Sequence, residues 1–321
     1  GNRFSALISR WHRDLLSYKP SNGNPQIPLQ VATLLDQLVR EHVLPLIEWA
    51  STKLEERIST SAGTKLISTL RVLSACLGVA EISDGKRENR SKKRVKGPPK
   101  NQKCSPEKHE QQNQKLFEEI DSESKANDDD QVGISEKYAK LCLVFACVWG
   151  IGGNASTSSS RSTFSDLVMT EFSDILEQCG ILQPDKSISR GGLFTLYDYF
   201  VSKADISGTT AQFLPWSVQL SDFTYRSNRS YFDLFVPTDQ TVCQRYLLSK
   251  LVQNGSNVML VGETGVGKSV VVNSLMGRLA DNKQNPSSWI SVTVGCSAQT
   301  SAADVRNCME SKLDRRRKNV L

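Results

Sequence analysis

The residues best suited to chemistry in this sequence form one short run after residue 261. They fit the Walker A pattern, which is a glycine, any four residues, Gly-Lys and then Ser or Thr. Because glycine lacks a Cβ, its main-chain N–H groups can approach phosphate oxygens closely. The sequence therefore predicts a loop that binds the phosphates of a nucleoside triphosphate, most simply ATP. All eight residues are candidates for this site: Gly262, Glu263, Thr264, Gly265, Val266, Gly267, Lys268 and Ser269.

The polar side chains of this loop suggest separate roles. Lys268 offers an ammonium group to the β- and γ-phosphates, and Ser269 offers a hydroxyl to Mg²⁺, which prefers oxygen ligands. The start of the following helix adds unpaired N–H donors and the positive end of a dipole. Glu263 would repel a triphosphate, so we expect its side chain to point into solvent or toward a neighbouring module.

Hydrolysis would need further carboxylates that the sequence does not supply. A P-loop enzyme uses one acid for Mg²⁺ and another that positions water, both at the end of a second core strand. No apolar run after Val294 ends in paired acids, and Asp304 and Asp314 fall within a predicted helix. We therefore assign no catalytic residue and expect weak nucleotide binding without turnover by this chain alone. The absence of a starting methionine and of a signal peptide suggests an internal fragment.

The elements around the loop follow an α/β order. Apolar periodicity predicts a short buried strand immediately before the loop and a helix immediately after it. A second strand and a final helix follow, which is typical of a partial P-loop domain with a parallel sheet. The predicted helices are 241–253, 269–279 and 302–318, and the predicted strands are 257–261 and 289–294.

The rest of the chain is mainly α-helical. Apolar residues at three- and four-residue steps predict helices from Leu29, with a division at Pro45, and over 64–79, 136–149 and 162–179. Polar residues at 59–61 would cap the second of these, and glycines at 150–153 would end the third by adopting positive φ. Residues 190–236 are rich in aromatics and predict short strands and loops. We expect these aromatics to serve packing.

Composition is that of an ordinary globular protein, with 38% hydrophobic and 23% charged residues. No apolar run reaches 18 residues, so no membrane span is expected. The eight cysteines lack the spacing of zinc sites or disulfide frameworks, and we expect reduced thiols, with Cys142 and Cys147 in the core.

The net charge of +6 is concentrated in one segment. Residues 84–110 hold ten Lys or Arg against four acids, and 111–130 hold two against seven. Because both stretches are poor in apolar residues, we predict a disordered charged insertion over 84–134. The basic run 90–96 could instead serve as a nuclear signal or bind tubulin or nucleic acid, although nucleic acid is not the favoured partner.

Several segments resemble dynein heavy chains, over nearly all of the chain apart from 84–134. Residues 235–238, 258–269, 297–300 and 311–318 are similar to the opening of the third AAA+ module of that family. Residues 145–153, with Arg161 and Phe164, resemble the end of the second module. Tyr197-Asp198-Tyr199 and Pro215-Trp216 resemble the segment that links the two. Glu263 and Val266 stand where proline and threonine are common in the family.

The resemblance implies a domain organisation. Residues 1–83 would be a helical part of the second AAA+ module, and 135–189 its helical lid, separated by the insertion at 84–134. Residues 190–236 would connect the modules, and 237–321 would begin the third module, with the P-loop but truncated before Walker B.

The resemblance also implies a function. The family couples ATP hydrolysis in a ring of six AAA+ modules to movement on microtubules, and the third module acts mainly as a regulator. The implied partners are ATP with Mg²⁺, the rest of the ring, microtubules, and dynein intermediate and light chains. The location would be the cytoplasm and cytoskeleton, and the run at 313–318 favours a ciliary or flagellar axoneme.

Two other functions stay open on the residues alone. An unrelated P-loop NTPase such as a GTPase would need an Asn-Lys-x-Asp guanine reader, which is absent. A non-catalytic interaction module would act through the basic segment. Competition between ATP and GTP tests the former, and deletion of 84–134 in a microtubule or nucleic-acid binding assay tests the latter.

Overall fold

The computed structural model describes residues 4–18, 27–79, 134–178, 195–203, 211–220, 236–281 and 291–311. These residues fall into two compact units. The first holds the described residues up to 220 together with 236–261, and the second holds 262–281 and 291–311. The predicted insertion at 84–134, except Ile134, and the basic run at 313–318 lie outside the described residues.

The first unit begins with three helices, α1 (Ser5–Ser17), α2 (Leu29–Leu38) and α3 (Leu44–Lys53). A single π-helical turn, Val39–Val43, joins α2 to α3, and Pro45 follows it in the first turn of α3. Proline lacks an N–H and crowds the carbonyl four residues before it, so a regular α-helix is disfavoured at this position. The predicted division at Pro45 is confirmed.

The core of the first unit is built on α4 (Ala62–Leu77) and α5 (Glu136–Gly150), which pack along each other. Ser61 caps α4 by accepting the Thr64 N–H at 3.2 Å, as the polar run at 59–61 predicts. The Tyr138 hydroxyl of α5 donates to the Cys76 carbonyl of α4 at 2.9 Å. Both helices contribute fully buried side chains to the core: Leu66, Leu73, Leu77, Leu141, Leu143 and Phe145.

The glycines after α5 act differently from the prediction. The residue that follows α5, Ile151, has φ of −98°, and neither Gly150 nor Gly152 adopts positive φ. A Cβ on Gly150 would instead clash with the backbone of Thr69, and one on Gly152 with the Tyr197 hydroxyl. These glycines are needed because other elements approach the backbone closely, not because the helix end requires a left-handed residue.

The predicted helix at 162–179 is two helices in the structure. α6 (Ser158–Glu171) begins earlier, because the Thr157 hydroxyl accepts the Ser160 N–H at 3.1 Å and caps the serine-rich run. Phe172 interrupts the helix, and α7 (Ser173–Gln178) follows it. Cys179 lies outside the described residues.

The aromatic region forms a small antiparallel sheet, as the sequence predicts in outline. β1 (Tyr199–Ser202) pairs with β2 (Gln212–Pro215), with Tyr199 opposite Pro215 and Ser202 opposite Gln212. Trp216 stacks on Phe200 with ring centroids 5.2 Å apart. Its indole N–H donates to the Tyr197 carbonyl at 2.9 Å. These aromatics pack inside the first unit, which confirms the expected structural role for them, and the predicted aromatics at 194 and 223–235 lie outside the described residues.

α8 (Asp239–Gln253) completes the first unit. The Thr238 hydroxyl accepts the Thr241 N–H at 3.3 Å and starts the helix two residues before the predicted boundary. Tyr246 of α8 packs against the aromatic residues around the small sheet, and its ring centroid lies 5.4 Å from that of Trp216. Gly255, with φ of 78°, makes the predicted turn after the helix.

The predicted parallel sheet is not present in the described residues. Neither 257–261 nor 291–294 forms a strand there, and residues 289 and 290 lie outside them. A strand exists only when its N–H and C=O groups pair with a neighbouring chain. Residues 257–261 have no such ladder within the described ranges, and Met259 is 77% exposed where burial was expected.

The second unit contains two helices, α9 (Lys268–Asp281) and α10 (Ala302–Glu310). α9 begins one residue before the predicted start, and α10 begins where predicted. Among the helices of the described ranges, none is both long and apolar enough to cross a membrane.

Candidate functional site

The predicted phosphate loop contains two glycines in the left-handed conformation, at the start of the second unit. Gly265 and Gly267 have φ of 86° and 83°, a region that residues with a Cβ rarely adopt. A Cβ built on either glycine would meet nothing within 4 Å. The backbone conformation therefore requires glycine here, and the space beside both glycines is open to a ligand.

The Lys268 side chain forms hydrogen bonds with the backbone at the start of the loop. Its ammonium donates to the carbonyl of Gly262 at 2.7 Å and to that of Glu263 at 2.5 Å. The first residue of α9 is thus tied to the first two residues of the loop. This arrangement places a half-buried positive charge at the loop, where the sequence predicts a phosphate contact.

The start of α9 supplies main-chain donors. The first helical hydrogen bond runs from the Val271 N–H to the Gly267 carbonyl at 3.0 Å. The N–H groups of Lys268, Ser269 and Val270 therefore have no acceptor inside the helix. Together with the helix dipole, they favour an anion at this end. Ser269 is exposed in the first turn, so its hydroxyl is accessible to a metal ion carried by the ligand.

One side of α9 consists of buried apolar residues. Val271, Leu275 and Leu279 recur at four-residue intervals and are 0%, 3% and 9% exposed. Four-residue spacing places them on one side of α9. Burial of that side orients the helix start and keeps the loop residues at the surface.

The other loop side chains face solvent. Glu263, Thr264 and Val266 are exposed, and Val266 is 56% exposed. The exposure of Glu263 agrees with the expectation that its carboxylate avoids the loop interior. Glu263 and Lys268 are the two ionisable side chains of the loop, and their charges are opposite.

Asp304 has a structural role. Its carboxylate accepts the Ser301 N–H at 2.9 Å and the Ser301 hydroxyl at 2.7 Å, forming a capping box at the start of α10. The backbone N–H of Ser301 lowers the pKa of Asp304 below its ordinary value. The prediction that Asp304 lies on a helix is confirmed, and Asp314 lies outside the described residues.

Three cysteines are neutral thiols buried in the first unit. Burial raises the pKa of the Cys142, Cys147 and Cys243 thiols, so these groups stay protonated. Cys142 and Cys147 are fully buried, which confirms their prediction as core residues. Over the described ranges, no group of three or more His, Cys, Asp or Glu side chains could hold a metal ion.

The sequence reasoning missed the partners of Lys268. The acceptors are main-chain carbonyls of Gly262 and Glu263, and residue types carry no signal for them. The positive φ of Gly265 and Gly267 is what the glycine spacing predicts, and the role of residues 262–269 as a phosphate site stays a prediction.

Two family models match the sequence. The dynein heavy chain AAA lid domain matches residues 108–218, and the P-loop containing dynein motor region matches residues 223–321. The second match contains the whole glycine loop, α9 and α10. The two matches leave only residues 1–107 and 219–222 outside.

The chain belongs to the dynein heavy chain family. Its relatives in that family include human dynein axonemal heavy chain 6, with 32% identity over 185 residues, and human dynein axonemal heavy chain 2, with 35% over 182. The dynein-1-beta heavy chain of the flagellar inner arm I1 complex of Chlamydomonas reinhardtii is 28% identical over 182 residues. Each alignment covers 56% of this chain and 4% of the relative. The chain therefore spans a small part of the length of these dynein heavy chains.

Proposed function

We propose that this chain carries an ATP-binding loop of a dynein motor ring, with residues 262–269 as the phosphate site. The observation that carries the proposal is the loop itself. It combines two left-handed glycines with open space beside them, an ammonium that contacts the loop backbone, and N–H groups at the start of α9 that have no acceptor in the helix. The match of residues 223–321 to a P-loop dynein motor region supports the same function.

Each loop residue then has a defined task. The N–H groups at the glycines and at the start of α9 hold the β- and γ-phosphates, and Lys268 neutralises part of their charge. Ser269 contributes its hydroxyl to Mg²⁺. The metal, when bound, offsets the phosphate charge and fixes the geometry of the triphosphate. Glu263, Thr264 and Val266 shape the loop without contacting the reacting groups.

Within the ring, we assign the loop to the third AAA+ module in a regulatory role. In this proposal residues 237–321 open the third module, and 190–236 connect it to the second. Residues 1–83 and 135–189 belong to the second module, the latter as its lid, and 84–134 is an insertion. The lid-domain match at 108–218 contains the whole proposed lid and supports that part of the assignment, and it also extends into the proposed insertion and the proposed connection.

The parent protein is proposed to be a microtubule motor of a ciliary or flagellar axoneme, within the cytoplasm and cytoskeleton. Its partners would be the rest of the heavy chain ring, microtubules, and dynein intermediate and light chains. The names of the relatives, which are axonemal or flagellar heavy chains, support this location.

Substitution of Lys268 tests the phosphate site. Lys268→Ala removes the only side-chain cation of the loop, so we expect ATP binding to fall below detection in a titration with labelled nucleotide. Arg306→Ala, which removes one positive charge from α10 of the same unit, should bind ATP like the unmodified chain. Unchanged affinity in Lys268→Ala, with the fold intact by circular dichroism, would refute the phosphate site.

Competition between nucleotides tests the class of protein. Unlabelled ATP should displace bound labelled ATP at lower concentration than unlabelled GTP does. A preference for GTP would favour the unrelated P-loop NTPase over the dynein assignment of this site.

A further inference from the structure

We propose that Glu263 is a specificity-determining residue that makes the loop favour magnesium-complexed ATP over free ATP. The inference rests on the proposed function, because it concerns the ligand of the same phosphate site. It assigns the acidic loop residue an electrostatic role that depends on the charge of the ligand.

Glu263 lies close to the Lys268 ammonium, the group proposed to bind phosphate. The carbonyl of Glu263 lies 2.5 Å from the ammonium of Lys268. A glutamate carboxylate reaches only a few ångströms from its own backbone. A phosphate held by Lys268 is therefore separated from the carboxylate by roughly 5 to 12 Å, which is within the range of electrostatic interactions at low salt.

The charged side chains of the loop balance each other. Glu263 cancels the charge of Lys268, so the side chains at 262–269 have no net charge. The remaining attraction comes from main-chain N–H groups and the helix dipole, which act on the nearest phosphate oxygens. The loop thus lacks the surplus of positive charge that would compensate a highly charged ligand.

The repulsion by one carboxylate scales with the charge of the ligand. Free ATP carries a charge of about −4 at neutral pH, and its magnesium complex carries about −2. The repulsion energy from the carboxylate is therefore about twice as large for free ATP, and it lowers the logarithm of the affinity about twice as much. Magnesium therefore favours binding by lowering the charge of the ligand as well as by coordinating the Ser269 hydroxyl. Neutralising Glu263 should weaken the charge contribution to this preference.

The expected size follows from Coulomb's law with screening. At about 8 Å in a water-like dielectric and about 0.01 M salt, Glu263→Gln should raise affinity roughly fourfold for the magnesium complex and roughly fifteenfold for free ATP. At about 0.15 M salt the gains should shrink to roughly twofold and roughly fourfold. A charge effect predicts that the affinity for free ATP rises more than the affinity for the magnesium complex. It also predicts that both increases shrink as the salt concentration rises.

The experiment titrates the full chain with labelled ATP, once with excess magnesium and once with excess chelator, at both salt concentrations. Glu263→Gln is compared with Glu263→Asp, which keeps the carboxylate and should keep the preference of the unmodified chain. Glu310→Gln removes the same charge from α10 of the same unit and should change neither affinity.

A larger gain for free ATP than for the magnesium complex, specific to Glu263→Gln, supports the inference. Equal gains, no gain, a loss of affinity, or the same change in Glu310→Gln would overturn it. If the unmodified chain and Glu263→Gln both fail to bind ATP in either form, the phosphate site itself fails. That result is distinct from a chain that binds ATP without sensing Glu263.

Discussion

Gly152 shows how one absent side chain permits a close contact between distant parts of the first unit. A Cβ at this position would clash with the hydroxyl of Tyr197 and would lie 2.5 Å from the ring of Phe164. The Tyr197 hydroxyl is buried, and its ring contacts that of Trp149 at 5.3 Å in an edge-on arrangement. The glycine thus allows the segment after α5 to fit against residues that follow much later in the chain.

Gly152→Ala should therefore destabilise the chain. We expect a loss of about 1–3 kcal/mol in the free energy of unfolding, the usual cost of forcing extra volume into a packed site. Gly153→Ala is the matched control, because its nearest neighbour is a Trp149 ring carbon at 3.7 Å, an ordinary contact. Urea unfolding followed by tryptophan fluorescence measures both. Equal midpoints for the two variants would show that the contact at Gly152 relaxes without cost.

At the scale of elements, hydroxyl side chains fix where several helices begin. Ser61, Thr157, Thr238 and Ser301 each accept an N–H from the first turn of their helix. Ser301 differs because its N–H and hydroxyl also donate to the Asp304 carboxylate, so this cap contains a titratable group. α10 should therefore respond to acid in a way that α4 does not.

The cap of α10 should open as pH falls through the depressed pKa of Asp304. A carboxyl whose folded pKa lies below its ordinary value of 3.8 stabilises the helix above that value, and the contribution disappears as the group is protonated. Amide chemical shifts of Ser301 should follow this titration between neutral pH and pH about 2, and Asp304→Asn should abolish it. The Thr64 amide, capped by the neutral Ser61, should show no matching transition.

Helices were predictable from the sequence, whereas the parallel sheet predicted around the loop was not found in the described residues. The spacing that predicts α4 and α5 is local, since every helical hydrogen bond joins residues four apart. Residues 257–261 have the composition of a strand, but a strand needs a partner that its own sequence does not specify. The loop at 262–269 was predictable because glycine and lysine act there within a few residues of each other. The carbonyls that hold Lys268 and the close approach at Gly152 depend on the folded backbone, so residue types did not reveal them.

At the scale of the whole molecule, the first unit holds six weakly acidic side chains in or against its core. Burial raises the pKa of three thiols and three phenols, and each remains neutral in the folded state. In the unfolded chain the same groups ionise near their ordinary values of 9.0 and 10.0. They are Tyr138, Cys142, Cys147, Tyr197, Cys243 and Tyr246.

The stability of the first unit should therefore fall in alkali. The contribution of these groups is complete below pH 9.0 and is lost as pH rises toward their higher folded pKa values, because only the unfolded chain releases protons there. Each group adds a slope of about 1.4 kcal/mol per pH unit once its unfolded form is ionised. Urea midpoints between pH 7.5 and about 10.5 should show the decline, and Cys147→Ala should make it shallower. A midpoint independent of pH in this range would contradict the expected burial.

The hydrogen bond between Tyr138 and the Cys76 carbonyl has a practical consequence for protein engineering. It brings the end of α4 beside the start of α5, and the flanking residues Val79 and Ile134 are both anchored in the core. A fluorescent reporter inserted within residues 80–107, which lie outside both family matches, would thus sit in a connection whose two ends are neighbouring points. Each doubling of tether length there costs only about 0.6 kcal/mol, which makes this junction a permissive location for a tag.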